Sequence, residues 1–234
     1  MSRRLILDPG SCHHGDLDVA LELIRSASTI PLATAIKFQL FPNRPPFAPP
    51  NHHIPEEWIP SLLGAGRDNA IEVFFSVFGT DEEVEETMEH LFYLAVAKIK
   101  FAYSMRDRMR SILRALDTFE EVFVTTDVMD RPYLPLYHER LTVLHTETEP
   151  HGNGRQTKYP VTHKVDFGFL DLRSPDGFHL FHGFSDHTLG VKQTKAAFRA
   201  GAEVVEKHFK LRDTSLSCPD SRFSVSAIEL KGLK

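Results

Sequence analysis

The sequence predicts an α/β protein: a single-domain (β/α)8 barrel of the TIM type over residues 1–234. Eight short apolar runs recur, each bounded by turn residues and followed by a stretch with helical spacing, the pattern of βα units on a parallel sheet. The chain's 234 residues, 41% of them hydrophobic, suffice for one large core, and barrels of up to about 250 residues are commonly one domain. Several runs are apolar on both faces, as strands covered by helices must be.

The strands are expected at 4–7, 34–41, 71–77, 96–102, 121–126, 141–146, 178–184 and 203–210. After the first, Leu17, Ala20, Leu21 and Ile24 fall at i, i+3, i+4 and i+7 behind Asp16, a favourable N-cap. After the third, Thr80 and Glu83 form a capping box for a helix at 81–93, whose acidic first turn suits the helix dipole. The segment 104–116 is expected to bury Met105, Met109, Ile112, Leu113 and Leu116 and to leave Arg106, Arg108 and Arg110 on a solvated face. A helix at 191–200 should end at Gly201, a natural C′ residue.

Two segments depart from the pattern. Residues 41–60 hold seven of the fifteen prolines, which predicts an extended loop after the second strand. Residues 150–160, rich in Gly, His and Asn, read as an insertion after the sixth.

With Lys+Arg 27 against Asp+Glu 32, the formal charge is −5, so no global basic field would hold nucleic acid or an anionic membrane. Two cysteines, Cys12 and Cys218, are too few for a disulfide framework, and both are expected to serve packing, as is Trp58. The N-terminus lacks the apolar stretch of a signal peptide, and no run of 18 apolar residues follows, so a soluble cytoplasmic protein is expected.

In such a barrel the reactive groups cluster at the C-terminal ends of the strands. The polar residues there are Asp8 and His13; Lys37 and Gln39; Ser76; Lys98 and Lys100; Thr125, Thr126 and Asp127; His145, Glu147 and Thr148; Ser185, Asp186 and His187; and Lys207 and His208. Lys37 and Lys98 lie within apolar strands, where an unpaired ammonium is costly. Together they suggest a phosphate or carboxylate site; each alone reads as an internal ion pair or, for Lys98, a side chain snorkelling outwards. His187 and His208 end neighbouring strands, so their imidazoles can meet and hold a divalent metal such as Mn²⁺ or Zn²⁺, or simply be hydrogen-bonded. Asp8 is either a base acting on water beside that ion or a turn carboxylate before Pro9-Gly10.

The run Gly183-Phe184-Ser185-Asp186-His187-Thr188-Leu189-Gly190 and the run Gly201-Ala202-Glu203-Val204-Val205-Glu206-Lys207-His208-Phe209 resemble two motifs of the N-acetylneuraminate (sialic acid) synthase family. The resemblance extends in order through Asp8-Pro9-Gly10-Ser11-Cys12-His13-His14-Gly15, Ala35-Ile36-Lys37-Phe38-Gln39, Ala97-Lys98-Ile99, Leu144-His145-Thr146 and Pro219-Asp220. It implies a barrel enzyme that condenses phosphoenolpyruvate with an N-acetylated, mannose-type aldose to a nonulosonic acid and phosphate, using a divalent metal, Mn²⁺ first and Mg²⁺, Co²⁺ or Zn²⁺ as alternatives. By motif, His187 and His208 would hold the metal. Asp8, Lys98 and His187 would be catalytic, and Asp8 stands where the family has a glutamate. Lys37, Lys98, Ser76, Thr125, Thr148 and Ser185 would bind phosphoenolpyruvate, with Gln39 and Asp220 facing the sugar.

Val77 and Phe101 stand near positions where the family carries hydroxyl donors, Thr125 replaces a serine, and Thr148 falls where an asparagine is expected. Tyr159-Pro160 matches the family's tyrosine-proline pair after an insertion. The chain reads as the barrel alone, without the family's antifreeze-like C-terminal domain, so a homodimer or a separate partner chain would supply the lid. Two other functions are weighed: a non-catalytic member that binds a sugar or phosphorylated ligand, and a metal-dependent barrel aldolase or isomerase acting on another acid.

Overall fold

A computed structural model describes residues 3–42, 52–102, 105–126, 138–147, 149–150, 157–158, 161–162, 164–174, 176–212 and 218–233. Eight parallel strands close into a barrel: β1 (Arg4–Asp8), β2 (Ala33–Leu40), β3 (Glu72–Val77), β4 (Lys98–Ala102), β5 (Glu121–Thr126), β6 (Leu141–Thr146), β9 (Gly183–Asp186) and β10 (Val204–His208), which pairs back onto β1. Between β6 and β9 lie a two-stranded ribbon, β7 (Glu149–Pro150) with β8 (Thr157–Lys158), and a 3₁₀ turn at Phe167–Asp171. The expected barrel is the observed one.

Helices α1 (Leu17–Ser28), α2 (Ile59–Asp68), α3 (Asp81–Tyr93), α4 (Met105–Thr118) and α5 (Lys192–Arg199) follow β1 to β4 and β9, and a short α6 (Ala227–Leu230) comes last. Their ends obey the sequence. Asp16 accepts the amides of Asp18 and Val19 at 2.8 and 3.2 Å. The Thr80/Glu83 box is reciprocal, at 2.7 and 3.3 Å. Gly201, just past α5, has φ +104°, which a side chain rarely adopts.

Some expectations need correction. The proline-rich segment is not loop throughout: Glu56–Trp58 form a 3₁₀ turn and α2 starts at Ile59, with Pro60 in the first turn, where its missing N–H costs nothing. Residues 43–51 and 151–156 lie outside the described residues. The seventh barrel strand begins at Gly183 rather than 178; before it, Phe181 packs edge-on against His145 and Phe169. On α4 the buried face carries Ile112, Ala115 and Leu116, while Leu113 is 45% exposed, because Ile112 and Leu116 rather than Leu113 align with buried Phe119. Arg108 is not merely solvated: it binds Asp81 at 2.6 Å and the Gly79 carbonyl.

The barrel interior is layered. At the N-terminal ends of the strands Arg4, Glu72, Lys98, Glu121 and Thr142 form a charged floor: Arg4 binds Glu121 at 2.7 Å, and Lys98 binds Glu72 and Glu121 at 2.7 and 3.2 Å. Above it Phe74 stacks on Phe123 at 5.2 Å between centroids. Where β9 crosses β10 the backbones approach so closely that a Cβ on Gly183 would lie 1.8 Å from the Val204 carbonyl oxygen. No helix among the described residues is long and apolar enough to cross a membrane.

Candidate active site

Six of the barrel strands deliver polar groups into one cavity of about 260 Å³ at their C-terminal ends. Asp8, Lys37, Gln39, Thr125, Ser185, His187, His208 and Asp220 all line it, joined by Lys100 and Glu206. Strand register sets the neighbours: Asp8 lies beside His208, and Glu206 beside Ser185.

A chain of buried charges crosses the cavity floor. The Lys37 ammonium donates to Asp8 Oδ2 at 2.5 Å and faces Glu206 Oε2 at 3.3 Å. Lys100 pairs with the other carboxylate oxygen of Glu206, which also accepts the Ser185 hydroxyl at 2.8 Å. Asp8 further accepts Gln39 Nε2 at 2.9 Å and the Gly10 amide at 2.8 Å. All four charged groups are nearly sealed from solvent, so each needs its partners.

The electrostatics follow from burial set against pairing. Burial raises the Asp8 carboxyl, but Lys37 and His208 outweigh it and hold it below the ordinary carboxylate range. Glu206 is likewise raised by burial and then held far below that range by Lys100 and Lys37. Lys37, opposed by burial yet flanked by two carboxylates, stays above the usual ammonium value. For Lys100 burial wins over Glu206, and its ammonium is brought down to about 8. Burial, then the neighbouring His208, pushes His187 well below the ordinary imidazole value, so it is neutral at neutral pH.

The two imidazoles sit 5.1 Å apart between centroids. His187 Nδ1 lies 3.2 Å from both Thr146 Oγ1 and the Ser185 carbonyl, which fixes the ring. His208 packs edge-on against Phe223 at 4.7 Å, and its Nδ1 is buried without a hydrogen-bond partner. Paired imidazoles, one with an orphaned ring nitrogen, are the donor chemistry a divalent cation takes. Among the described residues no group of three or more His, Cys, Asp or Glu forms a metal cage, so the pair would need water or substrate oxygens to complete a shell.

Lys98, the expected partner of Lys37, is elsewhere. It starts β4 and is 22% exposed in the floor network, whereas Lys100 is 2% exposed and reaches the cavity. Both face inward, but two residues of strand rise, about 6–7 Å, separate them along the barrel. The ion-pair alternative thus holds for Lys98. Sequence reasoning named Lys100 among the polar strand-end residues but gave the binding role to Lys98, and it missed Glu206 as a site residue. Ser76 is buried beside Lys100 in register but only reaches the Phe38 carbonyl at 3.4 Å, outside the cavity lining. Thr148 and Tyr159-Pro160 lie outside the described residues. Val77 and Phe101 are buried away from the lining, so neither stands in the cavity as a lost donor.

The rim is aromatic. Phe41 stacks on Phe78 at 4.1 Å, and Phe223 closes the other side. Trp58 packs against the core as expected and meets His13 edge-on at 6.3 Å. Cys12 and Cys218 are buried, but they touch each other at 2.9 Å rather than serving only as separate packing residues.

Residues 156–234 match the NeuB family. The chain is 26% identical to the N,N'-diacetyllegionaminic acid synthase of Legionella pneumophila, over 98% of its own length and 69% of that protein's. A stretch covering 41% of the chain is 37% identical to the Campylobacter jejuni enzyme of the same name, over 25% of that protein. In fold it resembles the sialic acid synthetase of Leptospira borgpetersenii, with TM-score 0.77 and 22% identity over 98% of this chain and 80% of that one. Bacillus subtilis spore coat polysaccharide biosynthesis protein spsE gives TM-score 0.74 and 23% identity, over 99% of this chain and 66% of that one.

Proposed function

We propose that this barrel, homologous to the legionaminic and pseudaminic acid synthases, condenses phosphoenolpyruvate with an N-acetylated aldose to give a nonulosonic acid and phosphate. The observation that carries the reading is the pair of buried ammonium groups, Lys37 and Lys100, at the floor of a cavity whose wall holds His187 and His208. A small polyanion needs buried cations, and here they are held in place by Asp8 and by Glu206, which the Ser185 hydroxyl fixes in turn.

In this reading Lys37, Lys100, Ser185 and Thr125 bind the phosphate and carboxylate of phosphoenolpyruvate. The Thr125 hydroxyl is buried in the lining without a hydrogen-bond partner, which leaves its proton for a ligand. Gln39 and Asp220 face the aldose, with the Phe41–Phe78 stack and Phe223 presenting flat apolar surface to its ring. C3 of phosphoenolpyruvate attacks the open-chain aldehyde carbon, water adds at C2, and the C2–O bond to phosphate breaks. Asp8, kept ionised by Lys37, takes the proton of that water. A divalent cation on His187 and His208, Mn²⁺ first, would supply Lewis-acid polarisation of the aldehyde. The buried floor excludes bulk water from the reacting carbons.

The test is inorganic phosphate release from phosphoenolpyruvate with Mn²⁺ and a panel of acetamido-hexoses. Release that depends on one aldose and is lost in His187→Ala and Lys100→Met supports the reading and identifies the acceptor. No release by folded, Mn²⁺-loaded protein across the panel overturns it.

A further inference from the structure

We propose that Cys12 and Cys218 are a redox-active dithiol that closes to a disulfide at the mouth of the barrel, a modification site distinct from the condensation chemistry. The two residues are 206 positions apart, yet their sulfurs lie 2.9 Å from each other, both as free thiols. A disulfide needs about 2.0 Å between sulfurs, so closure asks for a shift of roughly 1 Å. Burial brings two thiols together in many cores; what distinguishes this pair is the asymmetry around it.

Two groups meet the Cys218 sulfur, the Cys12 thiol at 2.9 Å and the Ser11 hydroxyl at 3.0 Å. Their hydrogen bonds favour the thiolate over burial and bring the Cys218 thiol down to about 7, while the same contact and burial push Cys12 far up. One sulfur is therefore the nucleophile and the other the resolving thiol, the division of labour of a dithiol site. Cys218 also keeps 3% exposure against none for Cys12, so an incoming reagent meets it first.

The chemistry balances with a low-molecular-weight disulfide as oxidant. The Cys218 thiolate attacks one of its sulfurs, breaking the S–S bond and releasing one thiolate. Cys12 then loses its proton and attacks Cys218 in the mixed disulfide, releasing the second. Two protein thiols are oxidised by two electrons and the reagent is reduced to two thiols, which take up both protons.

The location couples this step to the cavity rim. Cys12 follows Gly10, whose φ is +52° and whose missing Cβ would clash with the Asp220 carboxylate at 2.4 Å, beside His208 Nδ1. Ser11 donates its amide and its hydroxyl to Asp220 Oδ2, at 2.8 and 2.7 Å. Ser11 Oγ, which holds Asp220, also meets the Cys218 sulfur at 3.0 Å, so closing the disulfide alters the contacts of the group that positions a cavity-lining carboxylate.

Folded protein is titrated with oxidised and reduced glutathione at varying ratio, and read by thiol counting and by mass spectrometry without reduction. Both thiols should disappear together, with the mass falling by two hydrogens, the Cys12 and Cys218 peptides linked, and full reversal by dithiothreitol. Cys12→Ser should stop with one glutathione on Cys218, and Cys218→Ser should stay unmodified at Cys12. The proposal fails if the folded wild type keeps both thiols at ratios that fully oxidise the urea-unfolded chain, or if each cysteine takes glutathione independently. The wild-type measurement decides on its own, whatever the variants' folding.

Discussion

Replacing Lys100 and Lys98 separately by methionine tests the site assignment directly, since the two lysines share a strand and a face. Lys100→Met removes a cation that is 2% exposed and leaves Glu206 with Lys37 at 3.3 Å and the Ser185 hydroxyl at 2.8 Å. Breaking a buried ion pair costs about 3–5 kcal/mol when the surviving charge has nothing else. Because Glu206 keeps two partners and methionine fills the volume, the loss should be about 2–3 kcal/mol. Lys98→Met removes a cation that is 22% exposed, from carboxylates that retain other contacts: Glu121 keeps Arg4 and Thr142, and Glu72 is 34% exposed. A half-solvated pair of this kind contributes about 0–1 kcal/mol. Urea unfolding should therefore separate the variants by roughly 2 kcal/mol. Phosphate release should fall about 10²–10³-fold in Lys100→Met, the usual cost of one positioned charge donor, and stay within about twofold in Lys98→Met. Loss of activity in Lys98→Met with activity retained in Lys100→Met would refute the assignment and place the phosphoenolpyruvate clamp at the wrong end of the barrel.

Three further outcomes are expected. Since the Lys100 ammonium gives up its proton near 8, affinity for phosphoenolpyruvate, read by calorimetry, should fall by up to tenfold per pH unit above that value, and pH-independent affinity to pH 10 would exclude Lys100 from the clamp. His13 is brought down to about 4, chiefly by burial, from an ordinary 6.5; the unfolded chain binds its proton first, so stability drops as pH falls from 6.5 to 4. That group alone accounts for about 3 kcal/mol, and His13→Gln should flatten the fall in a urea series across this range. Gly183→Ala puts a methyl 1.8 Å from the Val204 carbonyl oxygen and should cost about 3–5 kcal/mol, read as a lowered melting temperature; a wild-type melting curve would contradict the strand spacing described.

How much of this was legible in the sequence depends on the kind of signal. The barrel strands were, because apolar runs bounded by turn residues have a fixed length scale, and seven of the eight expected strands match the observed ones to within a residue or two at each end. The caps at Asp16 and Thr80 were legible for the same reason, since each needs only residues within one helical turn. The convergence of Asp8, Lys37, Gln39, Thr125, Ser185, His187 and His208 followed from the rule that strand ends share one mouth, while Asp220 was named only through the family resemblance. The seventh strand was set too early because residues 178–180 pair back on 172–174, Ser174 donating to the Phe178 carbonyl and Leu180 to that of Leu172, before the chain enters the barrel at Gly183.

The sequence by itself determined the element types, their order, the closed topology and the side-chain types at the mouth, all of which rest on local periodicity and on strand direction. Tertiary structure alone decided which lysine of β4 reaches the site, that Glu206 joins two ammonium groups to one carboxylate, and that two cysteines 206 residues apart share a sulfur contact. Height along a barrel axis and distance between remote loops depend on how eight strands tilt and stagger as the sheet closes, and a side-chain period of two gives the face of a residue but not its level.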